Sequence, residues 1–221
     1  MMSSLFSSFD PTTIFNSQLN WMVIMITLVL IPLNYWIILS PLHTLWNTLQ
    51  LLIHQELKKL LAYKYMGSTL MMVTLFMIIL LNNLMGLFPY VFTSTSHATL
   101  PMIMSFPLWL SFMLFGWLKT TNKKFTHLVP EGTPSYLMPF TVLVETLSNI
   151  IRPGAITLRL MTNMTAGHFL ITLLGNNFPT LDKLFLPVMV LMQSMLIMFE
   201  TMVSYIQAYV FTILIGLYFE E

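Results

Sequence analysis

Three uncharged stretches, Asn20–Ser40, Ser68–Val91 and Thr99–Leu118, constrain this chain more than anything else in it. Each is about as long as the ~20 apolar residues that a helix needs to cross the ~30 Å hydrocarbon core of a bilayer. In lipid, every backbone N–H and C=O has to find its partner inside the segment or in a closed barrel, so runs of this length and composition fold as helices. The rest of the chain agrees: 57% of its 221 residues are hydrophobic and only 8% are charged, where a soluble domain carries roughly 25%. The longest polar stretches, Met1 to Asn20, Leu57 to Ser68 and Lys119 to Ser135, leave no room for a soluble domain.

Several function classes drop out at once. A net charge of +1 gives no electrostatic footprint for nucleic acid. The absence of cysteine removes disulfides, iron–sulfur clusters and thiolate metal sites. No Gly-rich loop ends in Lys-Ser or Lys-Thr, so no phosphate cradle is expected. The 20 methionines can be read as flexible apolar filler. A genetic code that reassigns an isoleucine codon, as in many animal mitochondria, explains them better, because nothing in packing demands so many thioethers. The first twenty residues lack the basic start of a signal peptide and the arginines of a transit peptide, so no cleavable targeting segment is expected.

The segment Pro41 to Tyr65 differs from the spans around it. Leu45, Leu49, Leu52, Ile53, Leu57, Leu60 and Leu61 recur at helical spacing, with His43, Asn47, Gln50, His54, Lys58 and Lys59 between them. That pattern predicts an amphipathic helix lying in the membrane interface. Pro32 is expected to kink the first span. Lys58, Lys59 and Lys64 follow the first span, and Lys119, Lys123 and Lys124 follow the third. Two crossings separate the clusters, so both face one side, which the positive-inside rule makes the cytoplasm or the mitochondrial matrix. The N-terminus, with Asp10, then faces the opposite side.

The C-terminal part breaks the upright pattern. Glu145 to Leu174 would run ~45 Å as a helix and Leu184 to Phe219 ~54 Å, against a hydrocarbon core of ~30 Å. Such helices must kink, protrude or tilt steeply, and the turn Gly175-Asn176-Asn177-Phe178-Pro179 joins them as a hairpin. The expected architecture is therefore all-α and polytopic. It has one N-terminal span with the amphipathic helix (residues 1–66), a two-span transmembrane hairpin (67–127) and two long, steeply tilted, membrane-embedded helices (128–221).

Those long helices hold most of the polar chemistry. At 100° per residue, Glu145, Arg152, Arg159 and Asn163 fall within ~40° of one another, with Asn149 at the edge of the stripe and His168 ~140° away. Pro153 interrupts the ladder between the two arginines. On the last helix Glu200 and Gln207 share a face to within ~20°. An arginine keeps its proton at any attainable pH. Holding one at bilayer depth costs ~3 kcal/mol on insertion scales and ~10 or more in simulations, so Arg159 is a candidate functional residue. Arg152 can instead snorkel to the interface, and Glu145 can pair with either arginine. Glu and His accept and release protons within a membrane; Arg cannot, and a fixed cation repels passing protons while attracting a carboxylate from elsewhere. Proton-carrying groups on separate faces with a barrier between them fit two half-channels that must not connect.

The same residues carry a resemblance. Arg159-Leu160-Met161-Thr162-Asn163-Met164-Thr165-Ala166-Gly167-His168 resembles the arginine motif of subunit a of F-type ATP synthases, mitochondrial type. The segment from Glu200 to Tyr205-Ile206-Gln207-Ala208-Tyr209-Val210-Phe211 resembles that family's last-helix motif. Leu84-Met85-Gly86-Leu87-Phe88-Pro89-Tyr90 looks like the motif after its second span, and Val129-Pro130-Glu131-Gly132-Thr133-Pro134 like the loop before its long helices. The resemblance runs in order along nearly the whole chain. It implies a stator subunit with no catalytic residues, no cofactor and no metal. Its partners would be a ring of c subunits, each with one essential carboxylate, other membrane-sector and stator subunits, and the lipid bilayer. It also implies roles: Arg159 keeps the two proton paths apart, His168 and Glu200 line the intermembrane-space half-channel, Glu145 lines the matrix half-channel, and Asn163 and Gln207 give polar support. Arg152 receives no role from it. The implied location is the mitochondrial inner membrane with the N-terminus toward the intermembrane space.

Two rival readings make different demands. A haem-binding subunit needs histidines paired across helices, and His43, His54, His97, His127 and His168 form no regular pairing. A self-contained proton-coupled secondary transporter often has internal repeats. No convincing repeat is present, and proton flux by the chain alone would distinguish it.

Overall fold

The computed structural model describes residues 5–13, 17–32, 37–38, 40–60, 67–119, 121, 126, 129, 134–177 and 185–220. The described residues are helical or irregular, with short 3-10 turns at Leu5–Phe9, Leu19–Met22 and Ser94–Ser96 and six α-helices. These are α1 (Val23–Val29), α2 (Pro41–Leu60), α3 (Ser68–Gly86), α4 (Thr99–Lys119), α5 (Met138–Asn177) and α6 (Leu186–Glu220). The chain divides into two compact units, Met1–His97 with Leu160–Glu221, and Ala98–Arg159.

In the first unit α3 is the central element. It packs against α6, α2 and α1, and α2 also touches α6. The reason is compositional: α3 is apolar almost all round, and Met72, Leu75, Phe76, Met77 and Ile79 are buried against its neighbours. Asn82 and Asn83 are buried on the same helix. Asn82 donates Nδ2–H to the Ile78 carbonyl at 2.8 Å, while its Oδ1 and both polar atoms of the Asn83 amide lack a partner among the described residues. The second unit consists of α4, which tolerates Pro107 within it, and the first part of α5.

Among the described residues three helical stretches are long and apolar enough to cross a membrane: Ser68–Gly86, Thr99–Lys119 and Leu186–Leu217. The first two match the expected second and third spans. At 1.5 Å per residue α5 is ~60 Å long and α6 ~53 Å, so both exceed the bilayer core of ~30 Å. Apolar side chains of α6 from Val188 to Ile206 are largely exposed on this chain. So extensive an apolar face belongs against lipid or another subunit.

The N-terminal span differs in detail. Instead of a kinked helix through Pro32, α1 with its leading turn is a short apolar helix, Leu19–Val29. Leu30 and Ile31 turn out of it ahead of Pro32. Proline biases the preceding residue away from helical geometry and cannot donate its own N–H, so the helix ends before it. Residues 33–36 and 39 of the expected span lie outside the described residues. The amphipathic helix runs Pro41–Leu60, with Leu42, Leu45, Leu49 and Leu52 exposed and Leu57 buried. Lys64, Lys123 and Lys124 lie outside the described residues, as do residues 130–133 of the loop motif and Phe178 and Pro179 of the expected hairpin turn, whose Gly175, Asn176 and Asn177 are instead the last residues of α5.

Many hydroxyl residues within these helices bond back to their own backbone. Thr157 donates to the Gly154 carbonyl at 2.7 Å, Ser204 to Thr201 at 2.7 Å, and Thr212 to Tyr209 at 2.9 Å and Ala208 at 3.2 Å. This satisfies a polar group without a second chain, which suits a helix in lipid.

Gly67 starts α3 with φ at 95°. An L-residue with a Cβ resists that backbone conformation by ~1–2 kcal/mol, and Asn tolerates it better. Gly67→Val should therefore lower the thermal stability of the assembled protein by ~1–2 kcal/mol and Gly67→Asn by less; a melting series of the two variants checks this.

Candidate functional site

The first unit brings together two of the sequence-selected residues, Glu200 on α6 and His168 on α5. Glu200 is 5% exposed, and its Oε1 lies 3.7 Å from His168 Nε2. Neither Glu200 oxygen, nor His168 Nε2, has a hydrogen-bond partner among the described residues. The imidazole is hydrogen-bonded to the backbone of Gly86 at the end of α3. With Nε2 unpartnered, Nδ1 is the nitrogen that donates to that backbone. The neutral ring then presents its Nε2 lone pair toward the carboxyl group. A separation of 3.7 Å is beyond a hydrogen bond and within one water or a small side-chain shift of one. The arrangement can pass a proton between an acid and a base held inside apolar protein.

Two glycines make room for this pair. A Cβ on Gly167 would fall 2.5 Å from Glu200 Oε1 and 2.7 Å from its Cδ, so the carboxyl group rests directly on the α5 backbone. A Cβ on Gly86 would meet Thr93 Cγ2 at 3.3 Å and Met164 Cε at 3.5 Å, so α5 and the chain after α3 approach closely where Gly86 receives His168. Both glycines lie within the motifs named above, though neither was a candidate site residue. Their position immediately before His168 and within Leu84–Tyr90 was the available signal.

The remaining candidates are distributed between the units. Asn163 and Gln207, in the first, are half-buried. Glu145, Arg152 and Arg159 belong to the second. Arg152 Nη2 lies 3.8 Å from Glu145 Oε1. The partner of Glu145, open between two arginines in the sequence, is thus Arg152, and Arg152 gains an ion-pair role. The pair is partly exposed on this chain, so its Coulomb energy is modest. Arg159 is exposed on the surface of this chain. Among the described residues no group of three or more His, Asp or Glu side chains could hold a metal ion.

The family model described as ATP synthase A chain matches residues 17–220. The chain belongs to this family. It is 51% identical over 223 residues to ATP synthase subunit a of Locusta migratoria, spanning 100% of this chain and 99% of that relative. It is 50% identical over 222 residues to the subunit a of Drosophila melanogaster and 51% over 224 to that of Anopheles gambiae, with the same coverage. The resemblance drawn from the arginine and last-helix motifs therefore extends over the full chain, and the chain is a membrane-sector subunit of a multi-subunit ATP synthase.

Gly167→Ala should displace the Glu200 carboxyl group, because an extra methyl in a packed interior costs ~1–3 kcal/mol. Falling on the transport barrier, that corresponds to a loss of roughly fivefold to over a hundredfold in ATP-driven proton pumping. Acidification of vesicles carrying the assembled complex measures it.

Proposed function

We propose that this chain is the proton-translocating stator subunit of the ATP synthase membrane sector and that the His168–Glu200 pair is its entry relay. A buried carboxyl group facing an imidazole nitrogen, with both of its oxygens unpartnered among the described residues, is the observation that carries this reading. A purely structural acid in apolar surroundings would be expected to be hydrogen-bonded. A group that must take and release protons keeps acceptor capacity open for water.

In this reading His168 and Glu200 line the half-channel from the intermembrane space, and Glu145 lines the one to the matrix. Arg159, permanently charged, keeps them from joining. Exposure of Arg159 on the chain surface fits a partner carboxylate arriving from outside, namely the essential acid of each c subunit in the rotating ring. Asn163 and Gln207 supply polar support near the arginine. The segment 128–221 carries the proton path, and ATP chemistry lies on other subunits, so the chain itself is non-catalytic. It resides in the mitochondrial inner membrane with its N-terminus toward the intermembrane space. Asp10 suits an aqueous position there: the Thr12 backbone N–H, 3.1 Å away, holds its exposed carboxyl below the usual carboxylate range.

Arg159→Ala should abolish ATP-driven proton pumping in the assembled complex while ATP hydrolysis by the catalytic head persists. Pumping retained in a variant that assembles normally would reject the role given to Arg159.

A further inference from the structure

The N-terminal turn Leu5–Phe9 is fixed at three points, two of them on residues at or next to His168 and the third on His97. The Phe6 ring stacks on Phe169, the neighbour of His168, with centroids 5.7 Å apart and 28° between planes. The Phe9 ring stands perpendicular to the His168 imidazole, at 6.5 Å and 89°. The Phe9 carbonyl accepts a hydrogen bond from His97 Nε2 at 2.9 Å, a contact between residues 88 positions apart. His97 is itself held between two rings, with Phe92 stacked at 5.3 Å and Trp21 tilted at 5.3 Å. Beyond the turn, Asn20 Nδ2 donates to the Asp10 carbonyl, and the Thr13 N–H donates to the Ser17 carbonyl at 2.9 Å.

These contacts form a chain of constraint ending on the imidazole. The hydrogen bond to the Gly86 backbone fixes one nitrogen of His168 but leaves the ring able to swing about it. A perpendicular aromatic ring on the imidazole face or edge opposes that swing. Phe9 can do so only while its own backbone is held, and the His97 N–H holds it. We infer that His97 is a positioning residue which, through the Phe9 carbonyl and ring, latches the N-terminal turn against His168 and keeps His168 Nε2 aimed at Glu200. The inference rests on the relay reading of that pair. It gives a function to a histidine and an N-terminal segment that the proton path itself does not use.

The test is ATP-driven proton pumping by the assembled complex carrying His97→Leu, His97→Gln, Phe9→Leu and the double variant Phe9→Leu/His97→Leu, with His168→Leu beside them. His97→Leu removes the donor and should slow pumping roughly threefold to tenfold, the range expected for losing one ring-orienting contact. His97→Gln, which offers an amide N–H, should recover most of the rate. The double variant should be no slower than the slower single one, because both changes break the same connection. Wild-type pumping by His97→Leu, failure of His97→Gln to recover, or multiplying losses in the double variant would overturn the inference. If His97→Leu does not assemble, Phe9→Leu carries the test, since it keeps an apolar side chain and removes only the ring; a wild-type rate there overturns it equally. His168→Leu separates the two levels. A wild-type rate in that variant defeats the relay reading, whereas lost pumping there beside normal pumping in His97→Leu and Phe9→Leu defeats the latch alone.

Discussion

The contact between Glu200 and the backbone at Gly167, facing His168, sets the terms for the rest of the first unit. A charged side chain at the centre of a membrane costs several kcal/mol, and nothing in hydrocarbon returns that energy unless the group has a partner or water. The fold holds the acid on a predominantly apolar helix whose apolar side chains are largely exposed on this chain. It sets the acid against a helix that has no side chain at the point of contact. It then aims an imidazole at the acid, anchored by the backbone of a third helix. Close approach of α3, α5 and α6 at two glycines is thus the geometric condition for bringing a titratable pair together inside apolar protein.

Length reinforces that geometry. Helices of 40 and 35 residues are far longer than a bilayer is thick. Ser and Thr side chains bonded to carbonyls three or four residues back let such helices carry polar groups without unsatisfied hydroxyls. The buried Asn82 and Asn83 amides on α3 depart from this economy, with three polar atoms unpartnered among the described residues. They lie one turn before Gly86, on the helix that anchors His168, and make that part of the interior more polar than the α3 residues preceding them.

Much of this architecture was legible because hydrophobic runs and helical spacing are strong local signals. The uncharged runs gave α3 and α4 with matching starts, and the leucine spacing gave α2. Length alone gave two helices too long to stand upright. At Pro32 the expected kink is replaced by a helix end: Leu30 and Ile31 already leave the helix ahead of the proline. The site was legible residue by residue for Glu200 and His168, whose chemistry stands out in an apolar segment. The glycines were not, because a missing side chain signals nothing until a neighbour occupies the space. A helical wheel could not choose between Arg152 and Arg159 for Glu145, since all three project onto one face. The His97–Phe9 contact joins residues far apart in sequence, and no local pattern encodes it.

The most direct measurement is passive proton conduction through the membrane sector after the catalytic head has been removed, compared between the natural chain and Glu200→Gln. The glutamine keeps the shape of the side chain over Gly167 but cannot exchange a proton. The account predicts that conduction falls to the level of sealed membranes. Conduction at the natural rate, in a complex shown to be fully assembled, would contradict it.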